Sequence, residues 1–213
     1  MIHSRLPAAL AVVLFVIPEG SLHAQDISIG GRLGLVGGEV IFENKESNDL
    51  QHPKPGLQIG GIAVYRPHSI IGLQAELWYI QKGWIETPAD GGRRLTYLEL
   101  PLLLTVTAPW TTAPQLVAGV SGSLELGCAV TGVPEVGSVS CDDPLVAWRR
   151  TKAQFGTWVG LGVRRWFGAG HLDVQLLGNL NLTNVNRDPL PRGYTRLFSL
   201  AVSTTYAIPL GGP

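Results

Sequence analysis

Residues 72–84, GLQAELWYIQKGW, set Gln74, Glu76, Trp78 and Lys82 on one face of an extended chain and Leu73, Ala75, Leu77 and Tyr79 on the other. Successive side chains of a strand point to opposite faces, so this alternation predicts a half-buried strand. Which face is wet is not given by the stretch itself. In a soluble sheet the apolar face meets the core. In a membrane barrel the apolar face meets lipid and the polar face fills the interior.

The segments that follow decide between the two. YLELPLLLTV, residues 97–106, carries Leu98, Leu100, Leu102, Leu104 and Val106 on one face, opposite Tyr97, Glu99, Pro101, Leu103 and Thr105. HLDVQLLGNLNL, residues 171–182, gives Leu172, Val174, Leu176, Leu180 and Leu182 against Asp173, Gln175, Asn179 and Asn181. Such stripes would leave large apolar patches in water, whereas lipid accepts them. The lumen then takes the polar rows, those of residues 72–84 included.

Period-two segments near 27–38, 56–66, 70–82, 93–107, 114–127, 154–167, 171–182 and 197–208 predict about eight strands. Each is long enough for a tilted membrane-spanning strand, which needs about 9–11 residues. Their connections alternate in length. PHS at 67–69, APWTTA at 108–113 and GAG at 168–170 are short, while 39–55, 83–92, 128–153 and 183–196 are long. Outer-membrane barrels sort their connections this way, with short periplasmic turns and long extracellular loops. The aromatic residues fall into two groups: Tyr65, Trp110, Trp166, Phe167 and Tyr206 at short-turn ends, Tyr79, Trp84, Phe155 and Phe198 towards the long-loop ends. Two interfacial girdles account for that. The fold expected is all-β: an eight-stranded antiparallel up-and-down transmembrane barrel.

The 213 residues include 45% hydrophobic and 15% charged side chains. Beyond the N-terminal segment no apolar run reaches the roughly 20 residues of a spanning helix. Sixteen basic and sixteen acidic residues cancel, which gives no basis for a nucleic-acid partner. Arg5, the apolar run 6–17 and the small residue Ala24 in SLHAQD read as a signal peptide over residues 1–24, leaving 25–213 as the barrel domain. Cys128 and Cys141 are expected to form a disulfide across the 128–153 loop.

LQAELWYIQKGW (73–84) followed by LTYLELPLLLTV (95–106) resembles the paired signature of the outer-membrane β-barrel family that includes the PorT-like proteins, often labelled porin-family. The resemblance implies a small barrel of about eight strands in the bacterial outer membrane, in a family whose members mostly have no assigned activity.

Inward-facing charges are expected to form a structural network of Arg32, Glu76, Lys82, Arg94, Glu99, Arg164 and Asp173. Folding the third and fourth strands about the 83–92 loop is expected to place Glu76 and Glu99 roughly opposite each other, and a carboxylate pair is the arrangement a glycosidase uses. In an eight-stranded bore that side chains just fill, they are expected instead to neutralise cations. Arg164 and Asp173 fall opposite each other about the GAG turn. His52, His68 and His171 are scattered between the two rims, so no triad and no metal or cofactor site is expected. The GxG of GTWVGLGVRRWF lies on a strand and lacks the helix that a phosphate loop needs. Gly156, Gly160 and Gly162 are expected to make room inside for Trp158. The function expected is structural or interactive, without enzymatic activity, with outer-membrane lipid around the barrel and an envelope or extracellular partner on its long loops. A soluble lipocalin-like barrel and a lipid-modifying barrel enzyme are the alternatives.

Overall fold

The computed structural model describes residues 27–42, 51–86, 91–133, 137–144, 149–186 and 195–210. The expected signal peptide lies outside them. Eight long strands alternate up and down: β1 (Ile27–Phe42), β2 (Gln51–Tyr65), β3 (Ile71–Glu86), β4 (Gly91–Thr107), β5 (Thr112–Val133), β7 (Ala153–Phe167), β8 (Gly170–Asn181) and β9 (Thr195–Pro209). Each pairs antiparallel with the next, β5 passes directly to β7, and β9 closes onto β1. A closed sheet has no edge, so every strand's backbone groups find partners without water. That is what a chain in hydrocarbon requires.

The ninth strand, β6 (Gly137–Ser140), is not visible as a pattern in the sequence. It folds back on the upper end of β5, with Ala129 opposite Ser140. The other long connections are also partly strand. Residues 83–86 and 91–94 pair at the top of β3 and β4, where Gly83 faces Arg94 and Glu86 faces Gly91. β1 likewise runs on to Phe42 and pairs there with β9. Above the lipid band the two arms still satisfy each other's backbone by pairing, although neither arm needs apolar alternation to do so. Sequence periodicity therefore stops before the strands do.

The two faces separate along every wall strand. Leu98, Leu100, Leu102, Leu104 and Val106 are 38–54% exposed on the outside, while Glu99, Leu103 and Thr105 beside them are buried. On β3, Gln74, Glu76, Trp78 and Lys82 are buried and Leu73, Leu77 and Tyr79 exposed. The wet face of residues 72–84 thus looks into the lumen. The structure departs from the girdle expected at the long-connection end, because Trp84 is only 2% exposed. It shares the inward row of Lys82, and Arg93 stands 5.9 Å from its ring centroid. The β7 glycines serve other neighbours than Trp158. A Cβ at Gly156 would meet the Asn181 and Asn179 side-chain amides, and one at Gly162 would meet Gln175.

Candidate functional site: a filled, charged lumen

Two ion pairs occupy the middle of the bore. Arg32 of β1 donates from Nε to Glu76 Oε2 at 2.7 Å and from Nη2 to Glu76 Oε1 at 2.9 Å. Its remaining contacts are Ser203 at 2.6 Å and Gln175 at 2.9 Å. Arg32 reaches Glu76 across β2, where Gly60 sits between Arg32 and Trp78 in register. A side chain there would collide with the Trp78 ring. In the second pair Lys82 Nζ donates to Glu99 Oε2 at 2.9 Å and to Asn179 Oδ1 at 3.1 Å. Glu99 Oε1 takes the Ser121 hydroxyl at 2.6 Å and the Trp158 indole N–H at 2.7 Å.

Trp78 and Trp158 join the two centres. Their rings meet edge to face at a centroid distance of 5.0 Å, the arrangement that aromatic quadrupoles favour. Trp78 also donates to Glu76 at 2.6 Å, so each indole caps one carboxylate. Arg32 stands 5.1 Å from the Trp78 ring, and Lys82 stands 5.4 Å from that of Trp158. Every carboxylate oxygen of Glu76 and Glu99 is engaged by a donor. Glu76 faces a different cation from Glu99, and the two do not converge on a common position where a substrate would sit. The geometry is that of two neutralised, hydrogen-bonded charges, as burial of ions demands.

Of the remaining charges named from the sequence, Arg164 and Asp173 meet at the short-turn end in a two-point contact of 2.6 and 2.7 Å. Arg94 does not join the network. It is exposed, because on β4 the odd-numbered residues Leu95, Tyr97 and Glu99 are the buried ones and an even number turns Arg94 outward, above the leucine stripe. Side chains that sequence reasoning did not single out complete the interior. The Gln175 amide donates to Gln115 at 2.7 Å, and Gln154 donates to the Tyr97 hydroxyl at 2.8 Å. Their alternation with apolar residues was the available signal.

The long-connection end is closed differently. Ile80, Trp84, Leu95, Tyr97 and Leu197 form an apolar layer, and Val185, from the segment after β8, is fully buried in the same cluster. A strap, residues 149–152, holds that segment down. Thr151 N donates to Val185 O at 2.8 Å, and Glu125 N donates to Lys152 O at 2.8 Å. Arg150 makes two-point contact with Glu125 and donates to Asp142 Oδ1 at 2.8 Å. Cys128 and Cys141 are disulfide-bonded at the base of the β5–β6 hairpin. The Arg150 guanidinium, hydrogen-bonded to the exposed Asp142, holds that carboxyl below its ordinary pKa. Among the described residues no group of three or more His, Cys, Asp or Glu side chains is placed to hold a metal ion.

A closed antiparallel barrel with lipid-compatible outer leucines and a charged lumen defines a membrane β-barrel protein. The chain belongs to the family described as outer membrane protein beta-barrel domain, whose model matches residues 23–187, and it is thereby a protein of the bacterial outer membrane. Similar solved structures include OprG of Pseudomonas aeruginosa, with 12% identity, coverage of 87% of this chain and 97% of that one, and a TM-score of 0.48. Neisserial surface protein A is similar at 12% identity, 84% and 96% coverage and a TM-score of 0.48. Ail, the attachment invasion locus protein of Yersinia pestis, solved in complex with the heparin analogue sucrose octasulfate, is similar at 9% identity, 86% and 99% coverage and a TM-score of 0.45. The comparison with curated proteins gives no match.

Proposed function

We propose that the protein acts by interaction through its long-connection end, binding an envelope or extracellular partner while the barrel serves as a membrane anchor, and that it neither conducts solutes nor catalyses a reaction. The observation that carries this reading is the filled bore: Arg32–Glu76, Lys82–Glu99 and the Trp78–Trp158 pair occupy its middle, all buried. Barrels of about eight strands have room for side chains and no aqueous channel. The lumen is also too charged for the apolar cavity of a lipocalin-like carrier.

In this reading residues 1–24 direct export and are removed. The likeness of residues 73–106 to PorT-like barrels agrees with it. The strap and β5–β6 hairpin, pinned by Cys128–Cys141, offer a partner a preformed surface whose ordering entropy is not lost on binding. Two measurements test the proposal. Refolded protein in planar bilayers is expected to show no stable conductance, and a photo-crosslinker placed at Ser138 in intact cells is expected to trap a discrete protein partner. Steady conductance, or crosslinks to lipid alone, would overturn it.

A further inference from the structure

The outward row of β4 does not end with its leucines. Above Leu98 it continues through Thr96, Arg94 and Gly92, and four residues of tilted strand raise Arg94 about 10 Å over Leu98. Leu98 stands opposite Tyr79, one of the aromatics at the upper edge of the lipid band, so Arg94 lies at the depth of the headgroups. It is exposed, and its cross-strand neighbours are Gly83 on β3 and Ala129 on β5. Neither can pair with a guanidinium.

A second cation reaches the same shelf. Lys54 of β2 donates from Nζ to Thr131 Oγ1 at 3.2 Å, and that hydroxyl donates to Gly92 O at 3.2 Å. Thr131 faces Gly92 in register as Ala129 faces Arg94, which sets the ammonium above Arg94 on the same pair of strands. Burial, and then the charge of Arg94, hold Lys54 below its ordinary pKa. Among the described residues neither cation has a carboxylate partner. Two like charges thus share one face without an anion between them.

We propose that Lys54 and Arg94 bind the phosphate of an outer-leaflet lipid whose acyl chains lie along the leucine stripe of β4. A guanidinium offers a fork of donors to phosphate oxygens and an ammonium adds a point charge. Gly83, Gly92 and Ala129 carry at most a methyl group, so the shelf is open to a headgroup. The occupant is a lipid because the shelf is continuous with the lipid-facing surface: Leu98, Leu100, Leu102 and Leu104 are exposed on the same face directly below. A zwitterionic headgroup fits less well, since its own cation repeats the charge already there. Arg165, outward at the short-turn end, faces Thr112 and Leu172 in register and has no cation across from it. It serves as the control for a lone interfacial charge. This inference needs the barrel in its membrane and is independent of any protein partner.

The test uses the full mature chain refolded in octyl glucoside, which carries no phosphate, with arginine side chains labelled with ¹⁵N. Dihexanoyl phosphatidic acid is titrated in at constant ionic strength, with affinity read by calorimetry and the site by the Arg94 Nε–H resonance. That resonance is expected to move and saturate. Binding should be at least about ten-fold tighter than that of dihexanoyl phosphatidylcholine or of inorganic phosphate. Arg94→Gln and Lys54→Gln, checked for folding by unboiled gel mobility, should each weaken it several-fold, and Arg165→Gln should leave it unchanged. Inorganic phosphate binding as tightly as the lipid would reduce the shelf to a surface anion site and overturn the proposal. So would phosphatidylcholine matching phosphatidic acid, hexaglutamate binding more tightly than either lipid, or Arg165→Gln costing as much as Arg94→Gln. The wild-type titration decides even if a variant fails to fold.

Discussion

Arg32 and Arg150 make the same two-point bond to a glutamate in two different enclosures. Arg32–Glu76 is sealed by the barrel wall, with side chains 0% exposed on both partners. Arg150–Glu125 is nearly as dry at 2% on each side, but its cover is the strap itself, held by Cys128–Cys141 and by the bond from Thr151 to Val185. A wall cannot open locally without breaking interstrand hydrogen bonds in lipid, whereas a strap can lift into water. Damage at the first pair must therefore reach global stability. Damage at the second can be relieved by solvating the abandoned charge.

The largest effect is expected from Arg32→Leu. It leaves the Glu76 carboxylate buried with only Trp78 as donor, and breaking one side of a buried pair typically costs about 3–5 kcal/mol. The double variant with Glu76→Leu should recover much of that loss, because the stranded ion is gone. Urea unfolding in vesicles measures both. If Arg150→Leu destabilises the barrel as much as Arg32→Leu, the distinction between wall and strap is wrong.

The wall has a second face, and depth sharpens the comparison. Leu102→Arg sets a cation in the middle of the outer leucine stripe and should cost about 2–4 kcal/mol. Gln81→Arg, on the outward row of β3 next to Tyr79, lies near the interface and should cost about 0–1 kcal/mol. Equal costs in the same titration would mean that the lipid band is misplaced.

These faces were legible in the sequence because lipid and lumen impose opposite demands on alternate residues. One pairing was legible as well. The GAG turn is too short to allow a choice of register, so residues 164 and 173 had to face each other, and Arg164 is opposite Asp173 in the structure. Glu76 and Glu99 show the limit. With residues 83–92 read as a loop, nothing fixed the β3–β4 register, and the structure sets Glu99 opposite Trp78. Glu76 found its cation two strands away, through the gap left by Gly60. Such a contact depends on barrel closure, which no local pattern encodes. Arg94 was a different kind of miss, since the alternation that turned Glu99 inward also turned residue 94 out. Arg150 and Val185 lie where periodicity had ended and Glu125 at the end of the 114–127 segment, and only their side-chain chemistry hinted at a strap.

Reducing Cys128–Cys141 should act on the β5–β6 hairpin and the strap bonded to it, and leave the wall in place. Closing a loop of sequence separation 13 restricts the open chain by about 3 kcal/mol in the loop-entropy model, and that contribution belongs to the β5–β6 hairpin. Protease nicking between 128 and 153 should accelerate on reduction while the urea midpoint of the barrel stays in place. A matching fall in that midpoint would show that the strap and wall unfold as one unit.

The smallest effect is expected at Asp142, which Arg150 contacts at 2.8 Å and Lys152 at 3.7 Å. Its carboxyl is 59% exposed, so screening by water and salt leaves the contact only a modest role. Because the folded pKa is depressed by Arg150, the sign is fixed. The contribution is fully present above the unfolded carboxyl pKa, about 3.9, and is lost as the pH falls through the lower folded value. Nicking of the strap by an acid-stable protease should therefore be flat from pH 7 to about 5 and rise below about 4, with the rise damped by salt. Asp142→Asn removes this titration while Arg150 keeps Glu125. The variant should nick slightly faster than wild type at pH 7 and converge with it in acid. Wild type and variant differing by a constant factor at every pH would assign the effect of Asp142 to packing and not to charge.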